Sequence, residues 1–306
     1  MTLCEISPET KEEIRHYPVM HREVLQLLDV SRRKIIVDCT VGGGSHAHNL
    51  LESAEDAYLI GIDKDQESLG IASQRLEPFN GRFTLIKDNF SHLDTILEKL
   101  NIKGVDIFFF DLGMSTYQLT NPERGFSFSQ DGPLDMRMDR NSFLSAYDLV
   151  NNLSEVELES IFRKFGEERF ARRIAHFLTE ARKREPISTT TQLARIILHT
   201  VPLKNRNLRI HPATRVFQAL RIAVNRELES LSQGITKAVS LLNKRGRIGV
   251  ISFHSLEDRI VKHTFKDFSS KGNLKIITKK PLSPAREESE ENKPSRSGKL
   301  RVAEKV

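Results

Sequence analysis

The sequence predicts an α/β protein built on an open, largely parallel sheet, with a helical segment inserted before the sheet is finished. Three observations predict it. Four apolar runs in the first 112 residues are continuous rather than alternating, as strands buried on both faces are. Helix-length spacers separate them, which is the βαβ pattern. A long stretch of mainly helical patterning then precedes a fifth run and two closing ones.

The elements follow in order. Lys34–Thr40 (KIIVDCT) is the first strand and ends at a glycine turn. Tyr58–Asp63 (YLIGID), Phe83–Asp88 (FTLIKD) and Val105–Leu112 (VDIFFFDL) are the second to fourth. Arg247–Phe253 (RIGVISF) is the fifth, and Leu274–Thr278 and Lys299–Glu304 close the sheet across a hairpin-length loop. Between them, Glu167–Glu185 spaces Phe170, Ile174, Phe177, Leu178 and Ala181 as one apolar helix face. Its other faces carry Arg169, Arg172, Arg173, Arg182, Lys183 and Arg184. Thr189–Thr200 is a further helix. His211–Leu231 is another, opened by Pro212 and repeating Val216, Leu220, Val224, Leu228 and Leu231. The division expected is a sheet domain of residues 1–113 and 209–306, with an inserted helical substrate-recognition domain at 114–208. Lys280–Ser297, rich in Pro, Ser, Glu and Arg, is expected to be a mobile loop.

Composition narrows the function classes. With 306 residues, 38% hydrophobic and 29% charged, the chain can bury a sizeable core. No apolar run approaches the roughly 18–20 residues of a membrane span, and Met1–Arg15 is polar and acidic, unlike a signal peptide. A cytoplasmic location is expected, with no membrane partner. Cys4 and Cys39 have no metal or redox spacing, and Cys39 reads as a small buried hydrophobe. The net charge of +6 suits a polyanionic partner.

The chemistry gathers where strands end. Asp38-Cys39-Thr40-Val41-Gly42-Gly43-Gly44-Ser45-His46 leads from a strand into a helix, and glycines there let a ligand approach the main chain. Asp63 lies 19 residues after Gly44, placed to accept hydrogen bonds from ribose hydroxyls. Asp88-Asn89-Phe90 can supply polar and stacking contacts to an adenine, and Asp111 ends the fourth strand. All four features sit at carboxyl ends of strands, where such sheets bind ligands. A nicotinamide dinucleotide and S-adenosylmethionine both suit this frame. Asp38 favours the second, because a carboxylate before the glycine loop complements a cationic methionine moiety rather than a pyrophosphate. The expected fold is therefore a Rossmann-like seven-stranded methyltransferase sheet.

Downstream come the segments DLGMSTYQL (Asp111–Leu119), ERGFSF (Glu123–Phe128) and DGPLDMRMD (Asp131–Asp139). GEERFA (Gly166–Ala171), HPATR (His211–Arg215), ISFHSLEDR (Ile251–Arg259) and SRSGKLR (Ser295–Arg301) follow. From about Tyr17 to Lys305 the chain closely resembles the bacterial 16S ribosomal RNA cytosine-N4 methyltransferases, the H-type family that modifies the small ribosomal subunit. The resemblance implies S-adenosylmethionine-dependent methylation of a cytosine N4 in the decoding region of 16S ribosomal RNA. That RNA is the expected partner, within an assembled small subunit or, as the open alternative, free. It implies cofactor contacts at Gly44, Ser45, His46, Asp63, Phe90, Asp111 and Gln118. Ser45 stands where relatives usually have glycine, and Met-Ser-Thr-Tyr stands where Val-Ser-Ser-Pro is usual.

Asp111 is the first candidate acceptor for the N4 proton, with Ser115 or Gln118 orienting the base; a pure cofactor contact at Asp111 is the alternative of equal weight. Asp131, Asp135 and Asp139 suggest a metal only superficially, since Gly132 and Pro133 interrupt any helix, and no metal is expected. Arg137 is a phosphate contact or half of a local ion pair. His254 is catalytic or a helix cap. Arg124, Arg137, Arg172, Arg173, Arg182, Arg184 and Arg215 are the candidate RNA contacts. A homodimer is left open.

Overall fold

The structure, a computed structural model, describes residues 18–202 and 211–306. Cys4, the Met1–Arg15 segment and the expected boundary at Leu208 lie outside them. Seven strands form one sheet: β1 (Ile35–Asp38), β2 (Tyr58–Asp63), β3 (Phe83–Lys87), β4 (Val105–Asp111), β5 (Leu242–Ser252), β6 (Leu274–Ile276) and β7 (Lys299–Lys305). Their spatial order is β3-β2-β1-β4-β5-β7-β6. The first five pair in parallel, and β7 runs antiparallel between β5 and β6.

The helices are α1 (His21–Leu28), α2 (Ser45–Glu52), α3 (Gln66–Arg75), α4 (Leu93–Lys99) and α5 (Thr116–Thr120), then α6 (Ala146–Asn152), α7 (Glu155–Gly166), α8 (Ala171–Arg182) and α9 (Thr190–Thr200). α10 (Ala213–Asn225), α11 (Glu227–Leu241), α12 (Ser255–Ser270) and α13 (Arg286–Glu291) complete the set. Each face of the sheet carries its own core. One holds Phe108, Phe110, Val239 and Phe265 against α4, α11 and α12. The other holds Ile107, Phe109, Leu50 and Leu69 against α1, α2 and α3. Alternate residues of β4 thus feed opposite cores, as the pleat requires. No helix of the described residues is long and apolar enough to cross a membrane.

A third core is wholly helical, built by α6 to α10 and the loop before them. α10 buries Val216, Phe217 and Leu220 in it, so the helical core reaches past residue 208. The segment His211–Leu231, expected as one helix, is two: Arg226 takes a left-handed conformation (φ 50°) between α10 and α11. The broken chain lets α10 join the helical core while α11 packs on the sheet. On α8 the buried side is Ala171, Ile174, Ala175, Leu178 and Thr179. Phe177, expected on that side, is 46% exposed under the Arg173 guanidinium. The stretch Lys280–Ser297 is a short helix and a 3-10 turn rather than a shapeless loop. Glu288 accepts the Met20 N–H at 2.8 Å, and Ser295 is fully buried.

Candidate active site

The strand ends bring three carboxylates together. β1 ends at Asp38, which is fully buried. Its Oδ1 accepts the Thr40 N–H at 3.2 Å, and Oδ2 has no hydrogen-bond partner among the described residues. Burial pushes its pKa up to about 7, and the neighbouring charge of Asp63 adds to the rise. Asp63, at the end of β2, accepts the Gly42 N–H on Oδ2 and the Asp65 N–H on Oδ1, both at 2.9 Å. Those bonds oppose burial, which still raises its pKa to about 6. Gly42 makes the first bond from a left-handed conformation (φ 51°), which glycine adopts without strain.

Asp111 ends β4, beside β1. Its backbone N–H donates to Thr40 Oγ1 at 2.7 Å. Oδ2 lies 3.5 Å from His46 Nε2, and Oδ1 is buried without a hydrogen-bond partner among the described residues. Burial, with the charges of Asp38 and Glu257, holds its pKa well above the usual carboxylate range. His46 is itself buried, its ring 4.7 Å from that of Phe109. Two unpartnered carboxylate oxygens at the ends of adjacent strands are costly unless a donor or cation meets them. The donor set therefore fits a cationic ligand such as the methionine end of S-adenosylmethionine.

Around these groups the loop is held firmly. Arg75 donates to Gly43 O at 2.7 Å and to Ser45 Oγ. Phe90, expected to stack on an adenine, meets Phe110 edge-on with centroids 5.4 Å apart and lies against Gly234. Ser115 and Gln118 are committed to each other. The serine hydroxyl caps α5 by accepting the Gln118 N–H, and the glutamine Oε1 accepts the Ser115 N–H. Gln118 Nε2 then donates to Asp65 at 2.7 Å. Gln118 is thereby spent on the cap and on Asp65, whereas Ser115 Oγ accepts in the cap, lies 3.5 Å from Ser68 Oγ and keeps a hydroxyl proton to donate. A cleft of about 600 Å³ opens next to Asp63, lined by Lys64, Lys87, Asp88, Asn89, Asn225 and Ser230 among others.

The arginines divide sharply. Arg124, expected on the RNA, is the largest fully buried side chain among the described residues. It reaches Asp65 at 2.7 Å, Glu67 at 2.6 Å and the carbonyls of Arg137 and Met138 at 3.0 Å. A guanidinium so enclosed cannot meet a phosphate. Arg137 forms the local ion pair instead, gripping both oxygens of Asp135 at 2.7 and 2.8 Å. Arg182 is half-buried and donates to Val150 O at 2.6 Å. Arg172, Arg173 and Arg184 are exposed; Arg215 is exposed and donates to Glu167 O at 3.2 Å.

The acidic trio does not converge. Asp131 bonds Thr191, Asp135 bonds Arg137, and Asp139 pairs with Lys87 at 3.0 Å. His254 caps α12, its Nδ1 accepting the Glu257 N–H, and burial lowers its pKa to about 3. Thr40, Arg75 and the Asp65–Arg124 pair also shape the site, and the sequence alone does not reveal them. Nothing local marks them, because their partners lie 30 to 71 residues away.

Comparison with known proteins completes the picture. A protein from Persephonella marina, named ribosomal RNA small subunit methyltransferase H, is 52% identical over 293 residues, spanning 96% of this chain and all of its own length. A protein of the same name from Brevibacillus brevis is 44% identical over 313 residues, spanning 97% of this chain and all of its own. Among solved structures, an rRNA methylase from Streptococcus thermophilus aligns over 94% of this chain and 93% of its own, with a TM-score of 0.43 and 12% identity. The sequence profile of the MraW methylase family matches residues 13–306, and on that match and those relatives this chain belongs to the MraW methylase family.

Proposed function

We propose that this chain methylates N4 of a cytosine in the decoding region of 16S ribosomal RNA, within an assembled small subunit in the cytoplasm. As a member of a methylase family it is a methyltransferase, with S-adenosylmethionine as the methyl donor. The observation that carries the reading is Asp111, with one oxygen 3.5 Å from His46 Nε2 and the other buried without a hydrogen-bond partner among the described residues, at the sheet's ligand-binding edge. The relatives' shared name supports ribosomal RNA as the substrate.

S-adenosylmethionine, when bound, supplies a methyl group activated by a sulfonium. Asp38 would face its cationic amino-acid end, and Asp63 its ribose. Gly44 turns the chain into α2, and Ser45 and His46 line that turn. Alignment of donor and acceptor supplies much of the acceleration in such a transfer. Cytosine N4 is a weak nucleophile because its lone pair is delocalised into the ring. As N4 bonds to the methyl carbon it must lose a proton, and the Asp111 carboxylate is the acceptor. Its raised pKa suits that task better than an ordinary carboxylate's would. The helical unit carries Arg172, Arg173, Arg184 and Arg215 toward the RNA, and in this reading it extends through α10.

Incubating the protein with labelled S-adenosylmethionine and undermethylated small subunits, then mapping the product by mass spectrometry, tests the reading. Label on a cytosine N4 is expected. Label on another base, or none, refutes it.

A further inference from the structure

Away from the cleft, α12 carries a stripe of basic side chains. Arg259, Lys262, His263 and Lys266 recur at helical spacing and all are exposed. The opposite side of α12 buries Leu256, Val261 and Phe265, which fixes the stripe outward. Lys299, opening β7, rises beside it. With Ser255, Arg259, Lys262 and His263 it lines an indentation of about 270 Å³.

Two acids face this hollow, and both are satisfied. Arg301 grips both oxygens of Asp258 at 2.6 and 3.2 Å, with Lys299 at 4.0 Å. Glu167, at the end of α7, reaches over the rim, where it accepts the Ser255 hydroxyl at 3.0 Å and the Arg259 guanidinium at 3.1 Å. That carboxylate demonstrates that the rim holds an oxyanion. Lys262, His263 and Lys266 have no ion pair among the described residues. The hollow is also close to the chemistry. Ser255 is four residues beyond Ile251, the register partner of Asp111. At 3.3–3.6 Å per residue, plus one strand spacing, it stands within about 20 Å of Asp111.

We propose that this hollow on α12 binds backbone phosphates of the RNA strand flanking the target nucleotide, through Lys262, His263 and Lys299. The inference rests on the ribosomal RNA reading above. It supplies a second grip, on the sheet unit, separate from the arginines of α8. Phosphate contacts of this kind position a strand without reading its sequence.

The test is the full chain carrying Lys262→Gln and Lys299→Gln. Its affinity for undermethylated small subunits and for a cytosine-containing RNA oligonucleotide is measured across a potassium chloride series. S-adenosylmethionine affinity should match the wild type. The log–log salt slope on the oligonucleotide should fall by about 0.7 per lost contact, or about 1.4 in the double variant. The Lys→Arg pair at the same positions should keep the wild-type slope. If the double variant folds poorly, Lys262→Gln alone, on the exposed face, should lower the slope by about 0.7. A wild-type Kd and slope in the Gln variants overturns the inference and leaves the RNA reading standing. A wild-type protein that neither binds nor methylates RNA overturns both.

Discussion

Replacing Arg124 with Met should destabilise the protein without touching RNA binding. Arg124 is 1% exposed, and its main partner, Asp65, is 3% exposed. Met matches much of the arginine's volume, so the cavity left is small and the electrostatic loss dominates. Removing one partner of a buried pair strands the other, at about 3–5 kcal/mol. The carbonyls of Arg137 and Met138 also lose their donor, at about 1–3 kcal/mol for each that stays dry. These costs overlap, because the loop can relax once the guanidinium is gone. Gln118 Nε2 still donates to Asp65, which softens the first cost. The expected total is therefore about 3–5 kcal/mol, or some 10 °C in Tm at about 2–4 °C per kcal/mol. Urea denaturation followed by circular dichroism reads it as a lower midpoint at constant slope. Adding Asp65→Asn, which keeps the α3 cap, should recover part of the loss by removing the stranded charge. The salt dependence of RNA binding should not move. A loss under about 1 kcal/mol, with no coupling to Asp65, would refute the buried-pair argument.

Three further outcomes are expected. Asp111→Asn should lower turnover by about 10²–10⁴ while changing S-adenosylmethionine affinity little, and the rising limb of the wild-type pH–rate profile, displaced above the usual carboxylate range, should disappear; parallel losses in both would make Asp111 a binding residue. A cationic ligand favours ionised Asp38, whose pKa lies at about 7, so S-adenosylmethionine should bind more tightly as pH rises from 5 to 7 and level off above; calorimetry in buffers of different ionisation heat should find a proton released below pH 7, and a flat profile counts against the assignment. Changing Arg172, Arg173 and Arg184 to Gln should leave folding intact and flatten the salt slope of RNA binding by about 0.7–0.9 per phosphate lost, whereas an unchanged slope makes that face solvated surface.

Much of this architecture was legible because burial writes itself into apolar runs. All seven strands fall where the runs lie, and Tyr58–Asp63 matches residue for residue. The largest strand error is at β5, which begins at Leu242 rather than Arg247. Its first turn of sequence, Asn243-Lys244-Arg245, is polar and exposed, and Arg245 adopts φ 64°, so no apolar signal marks it. The helix break at Arg226 was invisible because the apolar repeat continues in phase across it. The carboxylates at strand ends were legible too, since topology alone sends them to one edge. What could not be read was which polar side chain is enclosed. Arg124 and Arg172 look alike in sequence, and only distant Asp65 and Glu67 separate a core staple from a surface cation.

The place of β7 has a consequence for how the chain is made. β7 comes later in sequence than every other strand, yet it lies between β5 and β6 and ties Glu304 to Arg247 at 2.9 Å. During vectorial synthesis β5 therefore waits with a bare hydrogen-bonding edge while the 46 residues between Ser252 and Lys299 are added after it. Such an edge is a template for wrong pairing, and closing it late, between strands so far apart in sequence, is slow. The helical unit has no such debt, since every helix of its core precedes β5. Nascent chains arrested before Lys299 should thus hold a protease-resistant helical unit beside an unfinished sheet.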